Sequence, residues 1–126
     1  MKIEIQFTRS PIQVQAVKLP SREIGACLEF QGIVRELEKG EALAGLHYEA
    51  YEPMASKTLE RHLIQLGEKY GCDAVLFIHR LGWVPVGEPS LFIRILSAHR
   101  GEGIRFLADS IDLLKTDVPI WKRLSA

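Results

Sequence analysis

Apolar and polar residues alternate in several stretches of the first half of the chain, and this period of two predicts β-strands. The alternation runs through residues 2–7, 24–35 and 43–51, and a weaker form covers residues 12–16. Residues 36–41 form a charged turn around Gly40 between the two longest stretches, so we predict that these stretches pair as a hairpin. Gly25 and Gly32 interrupt the first of them, which predicts a bulge or the close approach of another backbone.

Two later stretches follow the helical spacing of three and four residues. The first covers residues 53–71, where Pro53 suits the opening turn and Gly71 suits a C-terminal stop. Its apolar stripe consists of Ala55, Leu59, Leu63, Leu66 and Tyr70. The second helix is predicted over residues 102–115, with a stripe of Ile104, Leu107, Ile111 and Leu114.

Two stretches beside these helices have apolar residues on both faces, which predicts buried strands at residues 74–81 and 91–96. The glycine and proline residues of the segment 82–89 indicate a connection, and the residues after 115 indicate a short tail. The order of strands, helix, strands, helix and tail describes an α+β sandwich. A chain of 126 residues that is 47% hydrophobic is long enough to bury a core, so we predict one domain over residues 1–126.

The composition argues against several classes of function. Sixteen Lys and Arg residues balance sixteen Asp and Glu residues, so no global field favours nucleic acid or an anionic membrane. The longest apolar runs, such as residues 74–78, are far shorter than the roughly 20 residues of a membrane span. The first residues alternate like a strand and lack the features of a signal peptide. We therefore expect a cytoplasmic protein in which any anion-binding site is local.

The sequence also gives little support for cysteine or metal chemistry. Cys27 and Cys72 are far apart and form no Cys-x-x-Cys pair, so we expect neither a disulfide framework nor a thiolate metal site. Because free cysteines are commonly buried, we expect both to be buried. The spacing of His47 and His62 does not suit a helical metal pair, and we predict neither a metal ion nor a cofactor on this chain.

Cationic residues at the end of the last predicted strand are the first candidates for a binding site. His99 and Arg100 lie where this strand ends and the second helix begins, so their side chains join the unpaired N–H groups of a helix N-terminus. This arrangement suits a phosphate or a carboxylate, and Gly101 and Gly103 would let it approach the backbone. The structural alternative is a histidine bonded to a loop carbonyl and an arginine in a surface ion pair.

Two lysines near the C-terminus are the second set of candidates. Lys115 ends the second helix, where a lysine commonly just complements the helix dipole. Lys122 follows Trp121, whose indole would partly desolvate the amine and suit it to act as a nucleophile or proton donor. Arg100 and Lys115 are about 22 Å apart along a helix, which is too far for one small-molecule pocket. If both act on one substrate, the protein is a homodimer with a composite site.

Two further arginines lie at predicted strand ends. Arg35 closes the stretch of residues 24–35 and would add a third cation to the site, the alternative being a surface ion pair with Glu36 or Glu38. Arg80 follows His79 between apolar residues, and we expect this second His-Arg pair to be mainly structural.

Five motifs, taken in order, resemble the family of the large, catalytic subunit of molybdopterin synthase. They are Gly32-Ile33-Val34-Arg35, Leu46-His47-Tyr48-Glu49-Ala50-Tyr51 with Met54, His79-Arg80-Leu81-Gly82, Ser97-Ala98-His99-Arg100, and Leu114-Lys115-Thr116 through Pro119-Ile120-Trp121-Lys122. Each motif alone is weak, but their order and spacing match from about Gly25 to Arg123, which makes the combination specific. The resemblance implies a two-layer α/β hammerhead fold with an additional antiparallel sheet.

The resemblance also implies an enzyme of molybdenum cofactor biosynthesis. This sulfurtransferase converts cyclic pyranopterin monophosphate, or precursor Z, into molybdopterin. In the family the sulfur comes from the C-terminal Gly-Gly thiocarboxylate of a small ubiquitin-like subunit, and a central dimer of large subunits carries one small subunit at each end, making a heterotetramer. By matching motif, Lys115 and Lys122 take the places of the catalytic lysines, and Arg35, His99 and Arg100 those of the pterin-phosphate pocket.

The sequence departs from the family pattern near its end. Leu124 stands where the family usually has an acidic residue, Asp117 places a negative charge between the two lysines, and relatives commonly continue with a tail that supplies another arginine. The alternative function is therefore a non-catalytic docking module for the ubiquitin-like tail. The presence of both lysines and of the His-Arg pair favours the enzyme, because a docking groove has no need of two amines.

Overall fold

The computed structural model describes residues 1–125 of the chain, and side chains as far as Arg123. The departure noted at Leu124 therefore concerns a side chain outside the described part. The elements are β1 (Lys2–Thr8), β2 (Ala26–Ile33), β3 (Leu37–Glu38), β4 (Glu41–Ala42), β5 (Gly45–Ala50), α1 (Glu52–Tyr70), β6 (Ala74–Arg80), β7 (Gly82–Pro85), β8 (Pro89–Ser97), α2 (Arg100–Asp117) and β9 (Ile120–Ser125). No helix in this part is both long and apolar enough to cross a membrane.

Four strands form the main sheet in the order β1-β6-β8-β2. Strand β1 runs parallel to β6, and the other neighbours are antiparallel. A second, antiparallel sheet has the order β7-β5-β9, and β3 and β4 form a short ladder of their own. The predicted α+β class, with a sheet additional to the main one, is confirmed.

The main core lies between one face of the four-stranded sheet and the two helices. Val75 and Phe77 of β6 are paired with Ile95 and Ile93 of β8, so these four side chains lie on the same face of the sheet. They pack with the buried residues of the helices, among them Leu59 and Leu63 of α1 and Phe106 and Leu114 of α2. Burial of this apolar surface is the main favourable contribution to the fold.

Helix α1 agrees closely with its prediction. Pro53 lies in its first turn, where the missing N–H removes no helical hydrogen bond. Gly71 ends the helix with φ of 71°, a left-handed conformation that glycine adopts without strain, and its N–H donates to the carbonyl of Gly67 at 2.8 Å.

Helix α2 turns most of its predicted stripe toward the main core, where Leu114 is buried and Leu107 and Ile111 are partly buried, but it also buries residues that the stripe did not include. Ile104 is 54% exposed, whereas Phe106 is fully buried. The residues facing the core are Gly103, Phe106, Ser110 and Leu114. A Cβ atom at Gly103 would lie 2.6 Å from Leu28 Cδ1, so this glycine allows the helix to pack closely on β2. Apolar spacing alone did not indicate Gly103 and Ser110, because neither is a large hydrophobic residue.

The predicted hairpin of the two long stretches is wrong. Strand β2 pairs with β8 in the main sheet, and β5 pairs with β7 and β9 in the second sheet. The segments 82–89 and 116–125, predicted as connection and tail, thus supply one strand each, and residues 12–16 form none. Strand β5 lies between the two strands that these segments supply, β7 and β9. Its Leu46 packs in a separate small core with Val34, Leu43 and Val84.

The predictions for the two glycines of the first long stretch are confirmed. The register of β2 against β8 shifts between Gly32 and Ile33, and the extra residue at this irregularity is Ser90 of β8. A Cβ atom at Gly25 would lie 2.3 Å from the carbonyl oxygen of Ala98, so another backbone does approach closely at this position.

Candidate active site

A pocket of about 550 Å³ lies where the second sheet meets the C-terminal end of α2. Three of the five predicted site residues line it: Arg35 after β2, Lys115 in the last turn of α2, and Lys122 on β9. His99 and Arg100 do not line it. The fold therefore brings together three cations that are separated by up to 87 residues in the sequence.

Lys122 has a carboxylate as its direct partner. Its position on β9 pairs with Tyr48 on β5, and its Nζ donates to Glu38 Oε1 at 2.8 Å. The Lys122 side chain is 43% exposed, and the indole N–H of Trp121 donates to Glu49 instead. The amine thus forms an ion pair at the pocket wall, and its closest described partner is Glu38 and not the Trp121 indole from which we expected partial desolvation.

Glu38 lies between two of the pocket cations. Its side chain is 14% exposed, and its second oxygen lies 3.9 Å from Nη2 of Arg35. The hydrogen bond from Lys122 lowers the pKa of Glu38 below its ordinary value, and the charges of Lys122 and Arg35 act in the same direction, against the opposing effect of burial. Glu38 is therefore ionised at neutral pH. The ion pair between Arg35 and Glu38 considered from the sequence exists; the Arg35 side chain is 78% exposed, and both residues line the pocket.

Lys115 is exposed in the last turn of α2. Within the described part of the chain, no carboxylate lies at ion-pair distance from it. Its ammonium is accordingly available to a ligand, and it also complements the negative end of the helix dipole. With Arg35 and Lys122 opposed only by Glu38, the pocket lining carries an excess of positive charge, which suits an anionic ligand.

His99 and Arg100 lie at the opposite end of α2 from Lys115. The His99 side chain is 87% exposed, and its backbone N–H donates to Glu102 of the same helix. Its Nδ1 is 3.4 Å from the same carboxylate oxygen. The Glu102 carboxylate thus occupies the N-terminus of α2, where the sequence predicted an anionic ligand. Within one subunit, His99 and Arg100 are remote from the pocket. Their participation remains a prediction that requires a second copy of the chain.

His79, which we expected to be mainly structural, also lies at the pocket. This residue is 4% exposed and lines the pocket, where its ring stands edge-on to Tyr48 with centroids 5.1 Å apart. Its Nδ1 donates to the Arg80 carbonyl at 2.8 Å, and burial lowers its pKa. Because Nδ1 carries the proton of the neutral ring, Nε2 retains a lone pair and can accept a hydrogen bond. A histidine at the end of a buried strand was the signal available in the sequence.

One of the two cysteines is buried, as predicted, and the other is exposed. Cys72 is buried, and the burial raises the pKa of its thiol to about 11, which makes it a poor nucleophile. Cys27 is exposed, contrary to the prediction, because it lies on the outward face of β2. Among the described residues, no group of three or more His, Cys, Asp or Glu side chains is placed to hold a metal ion.

The chain resembles known proteins over nearly its whole length. A family model described as MoaE protein matches residues 7–117. The molybdopterin synthase catalytic subunit of Homo sapiens is 36% identical over 121 residues, which are 94% of this chain and 64% of the human protein. That of Bacillus subtilis (strain 168) is 35% identical, covering 94% of this chain and 76% of the relative. The chain spans only 51% of the Arabidopsis thaliana relative.

Solved structures agree with this result. Molybdopterin synthase from Staphylococcus aureus superposes with a TM-score of 0.85 at 32% identity, covering 94% of this chain and 88% of that one. A complex of subunits 1 and 2 of molybdopterin-converting factor from Helicobacter pylori 26695 shares the fold, with a TM-score of 0.70 at 23% identity. Fold and pocket define an α+β protein with a cationic pocket suited to anions. The chain belongs to the MoaE protein family.

Proposed function

We propose that this chain is the catalytic subunit of a molybdopterin synthase, a sulfurtransferase of molybdenum cofactor biosynthesis. Its substrate is precursor Z, and the sulfur donor is the C-terminal thiocarboxylate of a small ubiquitin-like subunit. The observation that carries the proposal is that Lys115, Lys122 and Arg35 line one pocket. The names of the related catalytic subunits support it.

The charge of the pocket suits this reaction. A cyclic phosphate and a thiocarboxylate are both anions, and they repel each other unless cations lie between them. The positive excess left by Arg35, Lys115 and Lys122 over Glu38 would lower this repulsion and hold the two reactants together. Neither cysteine is placed to carry the sulfur, since neither lines the pocket. The sulfur therefore has to come from a partner.

We assign different tasks to the two lysines. The thiocarboxylate sulfur of the donor bonds to a substrate carbon and displaces an oxygen from it, which leaves with the electron pair of the broken C–O bond. Water then adds to the acyl carbon and the bond between this carbon and the sulfur breaks, so that the sulfur stays on the substrate as a thiolate and the tail leaves as a carboxylate. Negative charge develops on the acyl oxygen during this cleavage, and an ammonium at hydrogen-bond distance stabilises it. Lys115, which has no described carboxylate partner, contacts the thiocarboxylate end or an intermediate. Lys122 acts as its acid-base or electrostatic partner.

The assembly that we propose is a homodimer of this chain with one small subunit bound to each copy, in the cytoplasm. His99 and Arg100 would reach the pocket of the other copy, because the length of α2 separates them from Lys115 in their own subunit. In this arrangement the phosphate of precursor Z is bound by residues of both copies.

The experiment that tests the function is direct. The purified protein is incubated with precursor Z and a thiocarboxylated small subunit, and molybdopterin is detected through its fluorescent oxidation product. Product formation supports the synthase. A protein that binds the small subunit but forms no product is instead the docking module considered from the sequence.

Substitutions of the pocket lysines distinguish a synthase from a docking module. We expect Lys115→Ala and Lys122→Ala to abolish turnover while tail binding stays nearly unchanged. Lys57→Ala, an exposed lysine of α1 that does not line this pocket, is the matched control and should be as active as the wild type. Equal losses of binding and turnover in the pocket variants would mean that the lysines mainly dock the partner.

A further inference from the structure

The contact between Glu38 and Lys122 joins residues that are 84 positions apart. We infer that Glu38 is the positioning residue for Lys122, holding its ammonium at the wall of the pocket. The inference rests on the proposed function and adds a residue to it that no motif of the sequence indicated.

The backbone at Glu38 is part of a short hairpin. Glu38 belongs to the β3-β4 ladder, where it pairs with Glu41 across a two-residue turn. The turn residues Lys39 and Gly40 have φ of 51° and 80°, the left-handed conformations typical of a tight hairpin. Leu43 follows the ladder, is buried in the small core, and donates its N–H to the Glu36 carbonyl at 2.8 Å. The hairpin that carries Glu38 is therefore attached to the small core beside the pocket.

The ion pair differs from an ordinary pair on the surface. Exposed pairs contribute little because both side chains are mobile and water screens their charges. Here the carboxylate is 14% exposed, the N–O distance is 2.8 Å, and Arg35 approaches the other oxygen. The same carboxylate thus accepts a hydrogen bond from Lys122 and lies at ion-pair distance from Arg35. Loss of its charge would release the long Lys122 side chain into several rotamers, and the reaction would then have to wait for the correct one.

Kinetics distinguish positioning from mere structural support. Glu38→Gln keeps the size of the side chain and removes its charge. We expect kcat to fall by about tenfold or more, while KM for precursor Z changes by less than about twofold, since a charged hydrogen bond is lost but the other cations remain. Glu38→Asp, which keeps the carboxylate, should restore most of the lost rate. Glu41→Gln, an equal charge change on the same hairpin, should behave as the wild type.

A second measurement does not depend on turnover. The carboxyl carbon of Glu38 is followed by NMR as a function of pH in the wild type and in Lys122→Gln, a variant of a half-exposed residue that should fold. We expect the titration midpoint of Glu38 to lie below that of an ordinary glutamate in the wild type and to rise when Lys122 is replaced. A midpoint that does not move would overturn the inferred contact.

The outcomes separate the inference from the function on which it rests. A wild type without synthase activity overturns the proposed function, while the NMR titration still decides whether the contact exists. An active wild type with Glu38→Gln indistinguishable from Glu41→Gln overturns the positioning role. A Glu38→Asp variant as slow as Glu38→Gln, or a rise in KM with unchanged kcat, also overturns it.

Discussion

His62 in α1 and Asp117 at the end of α2 are joined by a hydrogen bond of 2.5 Å between Nε2 and Oδ2. Arg61 adds a second contact from α1, with its Nη2 at 3.7 Å from the same oxygen. Asp117 does not line the pocket, although it lies between Lys115 and Lys122 in the sequence. The Asp117 carboxylate, which we noted as a departure from the family pattern, thus links α2 to α1 and adds no negative charge to the pocket lining.

Replacement of Asp117 should therefore affect stability and not turnover. We expect Asp117→Asn to lower the free energy of unfolding by about 1 kcal/mol, because a charged hydrogen bond to a mostly buried histidine is lost at a half-exposed site. Urea denaturation measures this change. Asp112→Asn, an exposed acid of the same helix, should change stability much less. A large loss of kcat without a loss of stability would place Asp117 in the site after all.

Complementation between subunits tests the composite site. We expect mixed dimers of a His99→Ala subunit and a Lys122→Ala subunit to recover activity, because one of their two sites has both residues intact. Random mixing in equal amounts should give about a quarter of the wild-type activity, since half of the dimers are mixed. The proteins are co-expressed with different tags and assayed after purification. Activity no higher than that of either variant alone would place the two residues in separate functions.

The buried His79 should make stability depend on pH. Its pKa is lowered in the folded state, whereas in the unfolded chain it protonates near its ordinary value of about 6.5. As the pH falls below that value, the unfolded state gains a proton that the folded state does not bind. The stabilisation is thus present above the unfolded pKa and is lost as the pH falls toward the folded pKa, by at most about 1.4 kcal/mol per pH unit.

Urea denaturation at pH 7.5 and 5.5 checks this sign. The wild type should lose stability between the two values, and His79→Asn should lose less, because its amide can still donate to a carbonyl but cannot titrate. The comparison is made within each protein, so a general destabilisation by the substitution does not affect it. Identical losses in both proteins would assign the pH dependence to other groups.

Two glycines of α2 form a matched pair for testing the packing of this helix. A Cβ at Gly103 would meet Leu28 and the Ser97 hydroxyl at 2.6 and 2.8 Å, whereas a Cβ at Gly101 would meet only the flexible end of Arg105 at 3.3 Å. We expect Gly103→Ala to destabilise by about 1–3 kcal/mol through overpacking. Gly101→Ala should be neutral or stabilise by up to about 1 kcal/mol, through its helix propensity. Thermal unfolding of both variants measures the difference.

The sequence predicted helices and strands well where the apolar pattern was strong. The stripe, the proline and the glycine of α1 agree with one another, and its bounds were predicted to within one or two residues. The strands β6 and β8 were recognised from their apolar runs. Short strands such as β7 and β9 were missed, because a strand of four to six residues at the edge of a sheet is defined by its partner more than by its own pattern.

The residues that line the pocket were predicted only in part. The motifs that resemble the family contain Arg35, Lys115 and Lys122, and the fold brings these three into one pocket. No pattern indicated Glu38, because the β3-β4 hairpin reads as a charged surface turn and its contact with Lys122 arises only when β9 joins β5. The position of His79 at the pocket was not evident, because the sequence does not show which buried strand ends there.

The sequence by itself determined the helices, the buried strands and the α+β class, because each depends on spacing or residue type along a short stretch of chain. Its motifs also contained three cations that line the pocket, Arg35, Lys115 and Lys122. Only the tertiary structure decided that β2 and β5 belong to different sheets, that Glu38 pairs with Lys122, and that Asp117 turns to α1. These contacts join residues 55 or more positions apart, and their free energies depend on burial and on charges that several elements supply together.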